Sequence, residues 1–371
     1  MLAPAVADAI DPSRIRRALV IKLRHHGDVL LASPVFSVLK RAAPLAEIDA
    51  LIYRETAPML AGHPAIDLVH TIDRSLKHRG IAAQAGGEWR LLRTLRSRRY
   101  DLIVHLTEHP RGAWLKHLCG VRYAVARERA DAGNWWSASF THRYLLPRAT
   151  LRHTVETNLD ALRRIGIWPE DDDKALVLRP DAQAQARVAS LLAAHGLARR
   201  GFLVVHPGSR WLFKCWPAMS TAALLDRLSS GGWSLVLTGA PEAGEAALIS
   251  AIKSATRAPL VDLSGQLSLA ELGALIGAAR MFIGVDSAPM HMASAMGTPV
   301  IALFGPSGDA EWGPWRVPHR VIASTVHPCR PCGNNGCGGS NHSDCLITLP
   351  EARVSAAVAE LLAATADSPR R

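Results

Sequence analysis

The chain has no run approaching the ~18 uninterrupted apolar residues that a membrane-spanning helix needs. Its most apolar stretch, residues 288–304, is interrupted by His291 and Pro299. Residues 1–16 carry Asp8 and Asp11 and no apolar centre, so they do not read as a secretory signal, and a cytoplasmic protein is expected. The Gly-x-Gly-x-x-Gly nucleotide fingerprint is missing, as are fixed-period repeats and low-complexity tracts. Lysine is scarce, 7 of the 43 basic residues, and cysteine is too sparse for a disulfide scaffold, with 6 in 371 residues.

What is present is a globular composition. The chain is 49% hydrophobic and 20% charged, which excludes a disordered tail and, at 371 residues, points to two domains. A formal charge of +11 invites an anionic partner: nucleic acid, an anionic membrane face or a phosphorylated substrate. The Arg-heavy composition reduces the weight of that charge as a functional sign.

Short β-branched runs alternate with helical patterns, the signature of parallel α/β units. The expected strands are 18–22, 48–52, 68–72 and 101–105, then 202–205, 234–237, 260–263, 281–285 and 300–304, with helical stretches at 29–41, 88–98 and 350–364. Two such series predict two doubly wound domains, residues 1–175 and 176–371. The acidic segment 170–173 and the Ala-rich helix near 181–194 mark the boundary, with a linker placed within 170–198. In doubly wound sheets ligands bind outside the carboxyl ends of the strands. The strand-to-helix loops are therefore where chemistry is sought.

Three loops carry it. In the first, Arg24-His25-His26-Gly27-Asp28, Gly27 permits a tight turn and Asp28 stands where a helix begins, as an N-cap or as a carboxylate projecting into a cleft. The second runs from His206 to Pro217 and offers Ser209, Arg210 and Lys214 before Pro217 starts a helix, groups suited to surround a phosphate. In the third, a buried strand leads into Asp286, then Ser287 and Ala288, small enough for a ligand to approach the helix-start amides. His291 follows on that helix, where a satisfied core histidine is the commoner fate.

Four cysteines, Cys329, Cys332, Cys337 and Cys345, lie within seventeen residues at Cys-x2-Cys-x4-Cys-x7-Cys spacing, with His327 and His342 nearby. They can supply four thiolates to a structural zinc ion, or stay as reduced thiols in a cytoplasmic loop.

Taken together, Ile21-Lys22 leading to Gly27-Asp28-Val29, Lys214-x-Trp216-Pro217, Asp286-Ser287-x-x-x-His291, Gly297-Thr298-Pro299 and Phe304-Gly305-Pro306 resemble glycosyltransferase family 9, the lipopolysaccharide heptosyltransferases, over nearly the whole chain. The cysteine-rich stretch 327–345 and the segment 135–143 resemble its heptosyltransferase III branch. The resemblance implies a GT-B fold, two Rossmann-like domains facing across a cleft, the first binding acceptor and the second nucleotide sugar. It implies transfer of heptose from ADP-L-glycero-β-D-manno-heptose to the lipopolysaccharide inner core with inversion. Asp28 then matches the family's general base, with Arg24, His25 and His26 beside the acceptor. Lys214 matches its diphosphate-contacting lysine. Ser209, Arg210, Asp286, Ser287, Ala288 and His291 fall on its donor side, and Glu242 near its acidic ribose ligand. No cofactor is required on this reading, because Lys214 and helix-end amides can neutralise the diphosphate. An enzyme of this kind would meet its glycolipid acceptor by transient association with the cytoplasmic face of the inner membrane. Rival readings are a related GT-B enzyme using another nucleotide sugar or acceptor, and a zinc-bearing nucleic-acid binder. The second leaves Asp28 and Asp286 unexplained, and no nucleic-acid partner is expected.

Overall fold

In the computed structural model, which describes residues 6–129, 133–146 and 151–366, the apolar runs form two six-stranded sheets. The chain divides into two compact units, Met1–Val177 and Leu178–Arg371. The first holds β1 (Arg17–Ile21), β2 (Glu47–Tyr53), β3 (Leu68–Ile72), β4 (Leu102–His105), β5 (Tyr123–Arg127) and β6 (His142–Tyr144) in the order β3-β2-β1-β4-β5-β6. The second holds β7 (Phe202–His206), β8 (Ser234–Leu237), β9 (Leu260–Asp262), β10 (Met281–Val285), β11 (Val300–Phe304) and β12 (His319–Ala323) in the order β12-β11-β10-β7-β8-β9. Every pairing is parallel. Counted from its own first strand, each sheet has the same order, the doubly wound arrangement in which the winding direction reverses beside the first strand.

Parallel neighbours need crossovers, and right-handed crossovers decide which face each helix covers. In the first unit α1 (His26–Leu30) and α2 (Ser33–Ala42) follow β1, while α3 (Ile81–Arg98), α4 (Arg111–Leu118) and α5 (Gly133–Ser139) connect β3 through β6 on the opposite face. A single apolar cluster confirms that second layer: Leu95 of α3, Ala113 and Leu115 of α4 and Trp136 of α5 pack with Leu19, Ile21 and Ile103 of the sheet. Helix α6 (Thr154–Arg163) packs on α2. In the second unit α7 (Ala182–Ala194), α8 (Ala218–Ser230), α9 (Ala243–Ala255), α10 (Leu269–Ala278) and α11 (Ala288–Ala295) flank the sheet. The short α12 (Asp309–Trp312) and α13 (Asp344–Ile347) precede the last helix, α14 (Glu351–Ala364).

Three local differences from expectation have simple causes. The helical pattern over 29–41 is two helices, because Pro34 cannot donate a backbone hydrogen bond and opens α2 afresh. The segment placed as a linker contains α7, whose first turn is capped by the Asp181 carboxylate accepting from Ala184 N–H at 2.7 Å, and which packs on α10. Of the strands unassigned from sequence, β6 and β12 are edge strands and β5 lies between β4 and β6.

At the carboxyl end of β4, the His105 ring lies against Gly112 of α4, where a Cβ would sit 2.5 Å from the ring. The ring is fully buried and stacked with Phe140 at 5.8 Å, so it has no room to yield. Gly112→Ala is expected to destabilise the protein by about 1–3 kcal/mol through overpacking, against at most about 1 kcal/mol gained from replacing a helical glycine. Urea unfolding checks the sign.

Candidate active site

Each unit's reversal point lies between the strand that opens it and the strand that returns beside it: β1 and β4 in the first, β7 and β10 in the second. All three chemistry-bearing loops of the sequence leave one of these strands.

In the first unit the chain leaves β1 through Lys22, whose side chain is buried beneath the loop. Its ammonium donates to Asn158 Oδ1 at 3.0 Å and to the Leu106 carbonyl at 3.4 Å, and Asn158 Nδ2 donates to the Leu31 carbonyl at 3.0 Å. Leu23 N–H donates to Thr107 Oγ1 at 2.9 Å. These bonds lock the loop after β1 to the loop after β4 and to α6. Helix α1 begins after His25, so Asp28 is its third residue and not its N-cap. The capping alternative therefore falls. Among the described residues no hydrogen bond or ion pair holds the half-buried Asp28 carboxylate. Of the three groups expected beside the acceptor, Arg24 is exposed, His25 supplies the backbone that precedes α1, and His26 is tied through Nε2 to the Glu55 carbonyl at 2.8 Å.

Burial pushes the Lys22 ammonium down from its usual range to about 8, against the attraction of the Asp28 carboxylate, which raises it. Between that value and the unfolded lysine's ordinary one the unfolded chain binds the extra proton, so stability rises with pH across this window. Below about 8 the cost of the buried charge is borne in full. Comparing the native chain with Lys22→Met isolates the effect. Urea unfolding at pH 7.5, 9 and 10 should show the difference shifting progressively in favour of the native chain as pH rises.

In the second unit Lys214 and Asp286 meet. Lys214 ends a short 3-10 turn (Leu212–Lys214) in the loop after β7, Asp286 directly follows β10, and Lys214 Nζ lies 2.5 Å from Asp286 Oδ2. Both side chains are largely shielded, 18% and 8% exposed, so the attraction is little screened by water. The ammonium also lies 5.0 Å from the centre of the Trp211 ring, over which Arg210 is placed at 5.8 Å. Ser209 is buried and its hydroxyl accepts from Trp211 N–H at 3.4 Å, which shapes the turn. Ser287 stands immediately before α11 without a side-chain cap bond, its hydroxyl donating to the Val285 carbonyl at 3.3 Å. Ala288 opens the helix and His291 is buried within it. A fixed cation beside a helix start, backed by a carboxylate, is an arrangement that can receive a diphosphate.

Two acidic residues follow β8, Glu242 and Glu245. Glu242 is exposed and precedes α9 without capping it. Glu245, one turn on, points inward, accepts from Ala240 N–H at 3.0 Å and lies 3.7 Å from His206 Nε2. Burial pushes its carboxyl above the usual range and holds His206 down at about 4, hence neutral. A Cβ on Gly208 would overlap the Glu245 carboxylate, so a larger residue there would have to displace that side chain. Glu245, His206 and Trp211 are residues the sequence reading passed over. The signal for Glu245 was its place in the first turn of a helix after a Gly-Ala-Pro turn. Beside that turn is a hollow of about 410 Å3 lined by Ala240, Pro241, Ser264 and Gly265 among others.

The cysteine-rich segment is strapped onto the same end of the second sheet. Ser343 Oγ donates to the Phe213 carbonyl at 2.7 Å, Arg330 Nε to the Gly305 carbonyl at 2.5 Å, and Trp216 Nε1 to the Leu349 carbonyl at 3.2 Å. Cys329, Cys332 and Cys337 are exposed and Cys345 is buried. Among the described residues no group of three His, Cys, Asp or Glu side chains is placed to hold a metal ion, so the four-thiolate set that the spacing allows is not assembled here.

The chain is similar in sequence and in fold to known proteins. The family model for glycosyltransferase family 9 (heptosyltransferase) matches residues 88–343. The chain is 35% identical over 297 residues to lipopolysaccharide heptosyltransferase 3 of Escherichia coli, covering 79% of this chain and 84% of that protein. Among solved structures, a family 9 glycosyl transferase from Veillonella parvula superposes with a TM-score of 0.81 at 22% identity, over 96% of this chain and all of that one. Escherichia coli heptosyltransferase WaaC with ADP-2-deoxy-2-fluoro heptose superposes with a TM-score of 0.70 at 18% identity, over 93% and 99% of the two chains.

Proposed function

We propose a reaction from one settled premise: the chain belongs to glycosyltransferase family 9, the heptosyltransferases, and has their α/β GT-B fold. The substrates we propose are ADP-heptose as donor and the lipopolysaccharide inner core as acceptor, and the reaction inverts the anomeric carbon. The Lys214–Asp286 pair at the second unit's reversal point carries the reading.

On this proposal the acceptor hydroxyl attacks the anomeric carbon as the bond to the β-phosphate breaks. The proton passes to Asp28, whose half-buried carboxylate is already free to accept it. Charge accumulates on the departing diphosphate, and the Lys214 ammonium stabilises it there more than in the bound donor. Asp286 holds that ammonium in place before the donor arrives. Glu245, with its Ala240 N–H bond, fixes the turn beside the hollow where the nucleoside would lie.

No helix among the described residues is long and apolar enough to cross a membrane. The test is to incubate the enzyme with ADP-heptose and truncated core acceptors and weigh the products. A gain of one heptose with ADP-heptose alone is expected; a gain only with a different nucleotide sugar rejects the donor assignment. Zinc on the four cysteines is a separate proposal, for which the segment would have to close around the ion. Less than about a tenth of an equivalent of zinc per chain, in protein purified without chelator, removes it.

A further inference from the structure

From the layer formed by α3, α4 and α5, on the face of the first sheet opposite α2, we infer a docking surface for an anionic lipid bilayer. Three tryptophans project from it: Trp89 of α3 is 67% exposed, Trp114 of α4 56% and Trp135 of α5 43%. Among the described residues only one other tryptophan, Trp211, is comparably exposed. Trp114 and Trp135 lie against each other, ring centres 4.9 Å apart, and Leu118 of α4 is exposed one turn beyond Trp114. Core packing does not explain them. The same helices already supply their buried faces through Leu95, Leu115 and Trp136.

The charge on this layer is one-sided. The three helices carry six Lys and Arg residues and a single Glu. That Glu, Glu88, is bound by Arg111, and Arg98 is spent on the buried Asp49 at 2.8 Å. Among the described residues Arg90, Arg93, Arg96 and Lys116 have no carboxylate partner. Tryptophan suits the boundary between headgroups and acyl chains because its ring is apolar and its N–H polar. Arginine and lysine extend apolar stems with a charge that meets lipid phosphate. An indole group with unpaired cations and almost no acid fits a surface that presents dense negative charge over an apolar layer.

The inference is independent of the proposed reaction, because binding is read without substrate. Flotation with phosphatidylcholine vesicles containing about a third phosphatidylglycerol should recover the native chain, with recovery falling at high salt. Trp114→Ser with Trp135→Ser, and separately Arg90→Glu with Arg93→Glu, should each weaken vesicle binding at least tenfold. Quenching of tryptophan fluorescence by brominated acyl chains should fall sharply in the tryptophan variant, Trp89 being the only indole of the three left on this layer. All four side chains are exposed, and transfer to a water-soluble acceptor should be unchanged. The inference is overturned if the native chain floats no better with anionic than with neutral vesicles. It is equally overturned if either double variant binds like the native chain, or if the tryptophan variant loses binding to a soluble polyanion such as single-stranded DNA as much as to vesicles.

Discussion

Replacing Asp28 by Asn should lower turnover by a factor of about 10²–10⁴, the usual contribution of a positioned general base. Asparagine keeps the shape of the side chain, and no hydrogen bond to the carboxylate is lost among the described residues, so folding should be little affected. Donor affinity should be unchanged, because Lys214 and Asp286 belong to the other unit. A second readout comes from Lys22. The Asp28 charge favours the Lys22 ammonium, so its removal should move the alkaline window of Lys22 to lower pH. Full activity in the variant would remove Asp28 as base, whatever happens to Lys22.

Lys214→Ala should cost about 10²–10³ in turnover, the scale on which one group stabilising transition-state charge is felt. It also leaves the Asp286 carboxylate, only 8% exposed, without its cation. Stranding one charge of a buried pair costs about 3–5 kcal/mol, so a fall in Tm is expected too, and the two effects have to be separated. Adding Asp286→Asn removes the stranded charge. The double variant should recover most of the lost stability and none of the lost turnover, a non-additivity expected of residues in contact. If Lys214→Ala lowers Tm but leaves turnover intact, the lysine is only structural. Lys214→Arg separates charge from position: if the charge alone mattered it would restore activity, whereas a planar guanidinium cannot reproduce both the Asp286 contact and the reach of a compact ammonium.

The central strands were legible because strands buried on both faces read as continuous apolar runs, as in Leu19-Val20-Ile21 and Phe282-Ile283. Strands β5, β6 and β12 were not, although the edge strands β3 and β9 were. His319-Arg320-Val321 carries charge into β12, and β6 is only three residues long, so neither shows an apolar run. The candidate site was legible loop by loop but not as a pair. Lys214 and Asp286 are 72 positions apart, and only the return of β10 beside β7 brings them to 2.5 Å. Glu242 was legible because a turn signal marks where a helix begins, whereas Glu245 was not, because that signal does not say which of the helix's first residues faces inward. That is decided by packing against Gly208 and His206, 37 and 39 positions earlier.

The common strand order also has a cost during synthesis. In each half the strand that opens the sheet gains its second neighbour only after two further strands have been laid down on its other side. Ala18 of β1 is paired with Leu102, and Leu203 of β7 with Met281. At roughly 5–20 residues per second the open edge of β1 waits several seconds on the ribosome for β4. The edge of β7 waits in the same way for β10, the strand that delivers Asp286. Each reversal point therefore closes only midway through the synthesis of its half, and a nascent chain stalled before β4 or β10 presents an unpaired apolar edge to whatever it meets.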